Sequence, residues 1–205
     1  MRIRVKICGV STVGDAVSAA QAGADAIGLV FHQSSPRNVD AATARQIVEQ
    51  LPVFVASVAV FRNADSATVE KVAEAVQPDY LQFHGDEDQG FCSQFDLPYI
   101  KAVPMGAGAD VLAFAEAFAD ASALLLDSHG SQHQAGQGKS FDWQRVPLRC
   151  ELPLILAGGL SPDNVAAAIE QVSPWAVDVS SGVESAPGRK SATRIQQFID
   201  EVYGG

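Results

Sequence analysis

Short β-branched or aliphatic runs recur along this chain, and longer alanine-rich stretches of helical period separate them. The runs are "RVKIC" (4–8), "DAIGLVF" (25–31), "VFVASVAVF" (53–61), "DYLQF" (79–83), "YIKAVP" (99–104), "ALLLD" (123–127), "PLILA" (153–157) and "AVDVS" (176–180). Most are apolar throughout rather than alternating, which suits parallel strands buried on both faces. Eight β/α units in 205 residues predict an α/β fold, a compact single-domain (β/α)8 TIM barrel over residues 1–205. An open doubly wound sheet is the competing architecture, and the count of eight favours closure. A weak internal repeat agrees: "LP" precedes the third, fifth and seventh runs, whereas the other runs have different lead-ins.

The intervening segments carry helix-start signals. Thr12 and Asp15 have capping-box spacing, and Asp40 and Asp65 are placed to cap the next two helices. "SPDNVAAAIEQV" (161–172) reads as a helix with Ser161 as N-cap and Pro162 at its first position. After Asp127 the pattern lapses into a loop from Ser128 to Lys139, followed by a short helix over 142–149.

Composition narrows the function classes. The formal net charge of -10 argues against a general nucleic-acid partner, which needs a basic face, but leaves room for an anionic small molecule at a local site. No run approaches a membrane span, and "MRIRVKICG" is too short and too charged for a signal peptide. Three cysteines without CxxC spacing indicate reduced thiols and a cytoplasmic setting.

A barrel enzyme works where strand C-termini meet the following loops. Here those positions hold Cys8, His32 to Arg37, Arg62 with Asn63, His84, Pro104 with Met105, Asp127, Gly158 with Gly159, and Ser180 with Ser181. The strand starts offer no comparable set. "LAGGLSPDN" and "DVSSGVE" join glycines, hydroxyls and a helix start after the last two strands, where barrels commonly cradle a phosphate. Asp127, ending a very apolar strand, is either a loop-fixing cap or a general acid with a raised pKa. Cys8 packs as a small hydrophobe or acts as a base, with Lys6 and a following helix N-terminus as features that lower a thiol pKa. Cys92 and Cys150 read as packing residues. Arg37 is able to fork onto a carboxylate. For His84 and Asp178 a structural hydrogen bond is at least as good a reading. His129 and His133 stand four apart but without a third ligand, so no metal site is expected.

Taken in order, "KICG", "SPR", "QFHG", "LLLDS", "GQGKSFDW", "LAGGLSPDNV" and "DVSSGVESAPGRK" make the chain resemble the phosphoribosylanthranilate isomerases of tryptophan biosynthesis along essentially its whole length. The resemblance implies an Amadori rearrangement of a sugar phosphate without metal or cofactor, in a monomer or homodimer. It implies Asp127 as general acid and Cys8 as general base. Arg37 would hold the anthranilate carboxylate, Asp178 the sugar hydroxyls, and His84 would line the site. Gly158, Gly159, Ser180, Ser181 and Gly182 would hold the phosphate. Departures from the usual pattern are Phe83 for leucine, Arg62 for an apolar residue, Ser191 for aspartate, and "AGQG" in the loop after Asp127.

Three other readings remain open at this level. "HQAGQGKS" (133–140) ends like a nucleotide-binding loop, but His133 stands where that pattern needs glycine. A barrel isomerase that also takes a second sugar-phosphate substrate, and a non-catalytic sugar-phosphate binder, share most of the same residues.

Overall fold

The computed structural model describes residues 2–128 and 140–204. The strands are β1 (Arg4–Cys8), β2 (Ala26–Val30), β3 (Ala56–Phe61), β4 (Tyr80–Phe83), β5 (Tyr99–Pro104), β6 (Ala123–Asp127), β7 (Leu154–Leu156) and β8 (Ala176–Val179). They pair in parallel in sequence order, and β8 returns to β1, so the eight strands form a closed barrel. The open-sheet alternative is excluded. Around it lie α1 (Val13–Ala22), α2 (Ala41–Glu49), α3 (Ser66–Val76), α4 (Gln89–Ser93), α5 (Val111–Ala117), α6 (Val165–Val172) and α7 (Ala192–Tyr203). A small hairpin, β9 (Glu184–Ala186) with β10 (Arg189–Lys190), is set between β8 and α7.

Strand alternation divides the core in two. Inward-facing Val58, Val60, Ile100, Ala102, Leu125 and Ile155 fill the barrel together with Cys8. Outward-facing Val5, Ile7, Ile27, Leu29, Leu81 and Val177 pack beneath the helices. Phe83 belongs to this outer layer. Its ring meets Phe91, Phe95, Phe61 and Tyr99 at centroid distances of 5.7, 5.8, 6.2 and 6.0 Å, so this departure from the family pattern enlarges an aromatic cluster and stays away from the barrel mouth.

The helix starts follow side-chain chemistry. Thr12, Asp40 and Asp65 accept hydrogen bonds from the amides of Asp15, Thr43 and Thr68. Ser191 caps α7 in the same way, which is how it stands in for an aspartate. Two expectations are corrected. Helix α6 begins at Val165 rather than at Ser161, because the Asn164 amide accepts from the Ser161 N–H at 2.8 Å and donates to the Gly159 carbonyl at 2.9 Å. That clamp keeps 161–164 as a turn and braces the glycine loop before it. The helix expected over 142–149 is one 3-10 turn, Trp143–Arg145, capped by Asp142 and stopped short of Pro147, whose ring and missing N–H oppose continuation. His129, His133 and the "AGQG" segment lie outside the described residues, as does most of the nucleotide-loop pattern. No helix among the described residues is long and apolar enough to cross a membrane.

Core position and exposure set the expected cost of truncation. Leu125→Ala, at a fully buried barrel-interior site, should lower unfolding free energy by about 2–5 kcal/mol in urea titration. Leu148→Ala, at a fully exposed site, should change it by less than about 0.5 kcal/mol in the same experiment.

Candidate active site

The alternation that fills the barrel also selects what reaches its mouth. Along β1, Lys6 and Cys8 share the inward parity, and on β6 the last inward position is Asp127. Beyond the inward-facing Gln82 of β4 comes His84, and beyond the inward-facing Asp178 of β8 comes Ser180. A cavity of about 460 Å³ opens over these ends. Cys8, Arg37, His84, Asp127, Gly158, Gly159, Asp178, Ser180 and Ser181 all line it. Gly182 does not. It is packed against Leu160, where a β-carbon would collide with the carbonyl oxygen, so it shapes the loop from behind.

At the sulfur end, Cys8 is buried beside Lys6, whose ammonium pairs with Asp178 at 2.8 Å. Burial pushes the Cys8 thiol above its ordinary value, and the charge of Lys6 recovers only part of that shift. The expected lowering is therefore overturned. Desolvation is the largest cause, and α1 starts only at Val13, with Gly9 to Thr12 between its first turn and the sulfur. Lys6 is nonetheless where strand alternation puts it. Burial pulls its pKa down, but the charges and hydrogen bonds of Asp178 and Cys8 together outweigh burial and leave it raised.

Asp127 sits at the far wall. Its Oδ2 lies 2.8 Å from His84 Nε2, and His84 Nδ1 lies 2.9 Å from Gln82 Nε2. The ring bridges the Gln82 amide and the Asp127 carboxyl through its two nitrogens. His84 thus does more than line the site: it touches the carboxylate. Gln82 is a residue that sequence reasoning missed, although the "QFHG" run placed it two positions before His84, on the same strand face.

The two glycine loops face each other across β7 and β8. Gly158 and Gly159 both have positive φ, +78° and +74°, and a β-carbon on Gly158 would strike the Ser128 amide and Asp127. The backbone amides of the cavity-lining Gly158, Gly159 and Ser181 find no acceptor among the described residues. Such a group of amides is an anion cradle without fixed charge.

Arg37 also lines the cavity, held by Glu184 through Nε and Nη2 at 2.7 and 2.8 Å. Glu184 was also missed, and its partner Lys190 with it. Both lie in the "GVESAPGRK" run, whose hairpin fold has no strong sequence signal. Val30, Val60 and Phe61 supply an apolar wall, and the exposed Arg62 adds a second guanidinium at the rim. Among the described residues, no group of three or more His, Cys, Asp or Glu is gathered as metal ligands would be.

Comparison with known proteins bears on this arrangement. Residues 5–201 match the family described as N-(5'phosphoribosyl)anthranilate (PRA) isomerase. The N-(5'-phosphoribosyl)anthranilate isomerase of Pseudomonas aeruginosa (strain UCBPP-PA14) is 50% identical over 200 residues, covering 98% of this chain and 95% of that protein. The phosphoribosyl anthranilate isomerase of Thermus thermophilus superposes with a TM-score of 0.88 at 34% identity, over 98% of this chain and 99% of the other. A phosphoribosyl anthranilate isomerase crystallised with reduced 1-(o-carboxyphenylamino)-1-deoxyribulose 5-phosphate gives a TM-score of 0.81 at 36% identity, covering 99% of this chain and all of the other. On that match in sequence and fold, the chain belongs to the N-(5'-phosphoribosyl)anthranilate isomerase family.

Proposed function

We propose that this protein converts N-(5'-phosphoribosyl)anthranilate to 1-(2-carboxyphenylamino)-1-deoxyribulose 5-phosphate, a step of tryptophan biosynthesis, by general acid–base catalysis without metal or cofactor. The observation that carries the reading is one cavity bounded by a cysteine on β1, a carboxylate on β6, an arginine after β2 and the amide-rich loops after β7 and β8.

In this reading the phosphate docks on Gly158, Gly159, Ser180 and Ser181, with Gly182 shaping the last loop. The anthranilate carboxylate meets Arg37, and its ring lies against Val30, Val60 and Phe61. Asp127, oriented by His84, protonates the ribose ring oxygen as the C1' bond to that oxygen breaks and the amine lone pair forms the Schiff base. The Cys8 thiolate then removes the C2' proton, and the electron pair flows toward nitrogen to give the enolamine. Transfer of a proton from the C2' hydroxyl to C1' yields the ketone, so the step is redox-neutral overall. Asp178, fixed by Lys6, is placed to accept from a sugar hydroxyl. The protein works in the cytoplasm as a monomer or homodimer, a state that sedimentation measures directly.

The direct test is incubation with phosphoribosylanthranilate while its fluorescence is followed. Loss of signal is expected for the wild type. Cys8→Ala and Asp127→Asn should each lower turnover on the order of a hundredfold or more, and near-wild-type rates in either would sink the acid–base assignment.

The pH profile offers a second check. Burial raises the Cys8 thiol above its ordinary value, so the thiolate fraction keeps growing through neutral and mildly alkaline pH. The ratio kcat/KM should rise with pH across that range, its logarithm climbing with a slope approaching one. A profile already flat at pH 7 would show that some other group sets the limb.

A further inference from the structure

We propose that Glu184 is the positioning residue that aims the Arg37 guanidinium at the substrate carboxylate, so that selectivity for the aromatic acid depends on a buried side chain outside the cavity. The inference rests on the proposed function above, in which Arg37 meets that carboxylate.

Glu184 opens β9, just past the amide-rich loop that follows β8, and is 7% exposed. Its Oε1 accepts from Arg37 Nε at 2.7 Å and from Lys190 Nζ at 2.9 Å, and its Oε2 accepts from Arg37 Nη2 at 2.8 Å. A guanidinium has five N–H donors in one plane. Glu184 occupies one edge, Nε with Nη2. The other edge, Nη1 with the second Nη2 hydrogen, has no partner among the described residues, and Arg37 lines the cavity. A planar fork pinned along one edge presents its adjacent edge in a fixed orientation, and that geometry suits two-point binding of a second carboxylate.

The stem of Arg37 is held as well as its head. It crosses directly over Gly9, whose φ is +73° and whose missing β-carbon would collide with Arg37 Cδ. The hairpin that carries Glu184 is locked onto the arginine's own loop at Gly188, where a β-carbon would strike the Pro36 carbonyl. Lys190 completes the device. Fully buried at its side chain, it donates to Glu184 and also to the Ser180 carbonyl at 3.0 Å. Burial pushes the Glu184 carboxyl up, but the hydrogen bonds and charges of Arg37 and Lys190 outweigh burial and leave it below the ordinary carboxylate range. It is therefore ionised throughout the neutral range in which binding is measured.

A merely structural glutamate would support the whole site, whereas a positioning glutamate supports one end of it. Calorimetric titration can separate the two. The probes are reduced 1-(o-carboxyphenylamino)-1-deoxyribulose 5-phosphate and its counterpart lacking the carboxylate, reduced 1-phenylamino-1-deoxyribulose 5-phosphate. Glu184→Gln should weaken the carboxylated probe by about tenfold or more, the scale of one charge-assisted contact, and the other probe by less than about threefold. Glu184→Asp, which keeps the buried charge and guards against a folding defect, should show a smaller loss with the same selectivity. Equal losses on both probes, or no loss on either, would overturn the proposal. Arg37→Ala is the control on the underlying reading. If Arg37→Ala binds both probes as the wild type does, the assignment of Arg37 to the carboxylate fails, whatever Glu184 does.

Discussion

Closing eight parallel strands into a barrel confines half of their side chains to an interior that they fill, with the cavity over one end. Everything else follows from that confinement. Below the mouth lie apolar groups, the Gln82 amide and one charge pair, Lys6 with Asp178, both nearly sealed from solvent. At the mouth the same inward positions gain access to a cavity. Cys8, Asp127 and Ser180 are thus continuations of the core packing rather than additions to it. The outward faces of the same strands hold the helices, and of them Phe61 reaches the cavity wall.

Buried ion pairs of this kind rarely add much stability, because desolvation offsets most of the attraction. They do fix geometry, since leaving either member unpaired in a dry interior is costly. Three such clusters surround the mouth. Lys6 with Asp178 lies under the sulfur. Lys101 with Glu87, at 3.0 Å, ties the loops after β3 and β4 through the Asn63 and Gly85 amides. Glu184 with Arg37 and Lys190 bridges the loop after β2 to the loop after β8. Of these charges Arg37 and Asp178 line the cavity, and their partners Glu184 and Lys6 stand behind them.

Much of this was legible in the sequence, and the reason is locality. Strand existence, the caps at Thr12, Asp40 and Asp65, and the paired left-handed glycines each depend on a few neighbouring residues. So did the candidate residues at the strand ends, once the fold class supplied the rule for finding them. What escaped depends on contacts distant in sequence. Arg37 and Glu184 are 147 residues apart, and no local pattern reveals that one fixes the other. The Asn164 clamp delayed α6 because a side chain outcompeted an otherwise good Ser–Pro helix start. The Cys8 environment was misjudged for a related reason: alternation showed that Lys6 was near, but not how dry the surroundings were.

If Cys8 is the base of the proposed reaction, that dryness bears on how the thiol works in it. A nearby ammonium stabilises the thiolate, and burial destabilises it by more. The two effects do not simply cancel in their consequences for proton transfer. Desolvation reduces the fraction ionised at neutral pH, yet the thiolate that forms is a stronger base than one exposed to water, and Brønsted behaviour rewards that strength when the proton lies on carbon. Lys6 then limits the loss of population without supplying the driving force. A fully exposed Cys8 would ionise more readily and would take a carbon-bound proton less well. Retaining a buried sulfur beside a buried lysine is consistent with a site adjusted for base strength over base abundance, and the Asp178 that holds Lys6 in place belongs to the same adjustment.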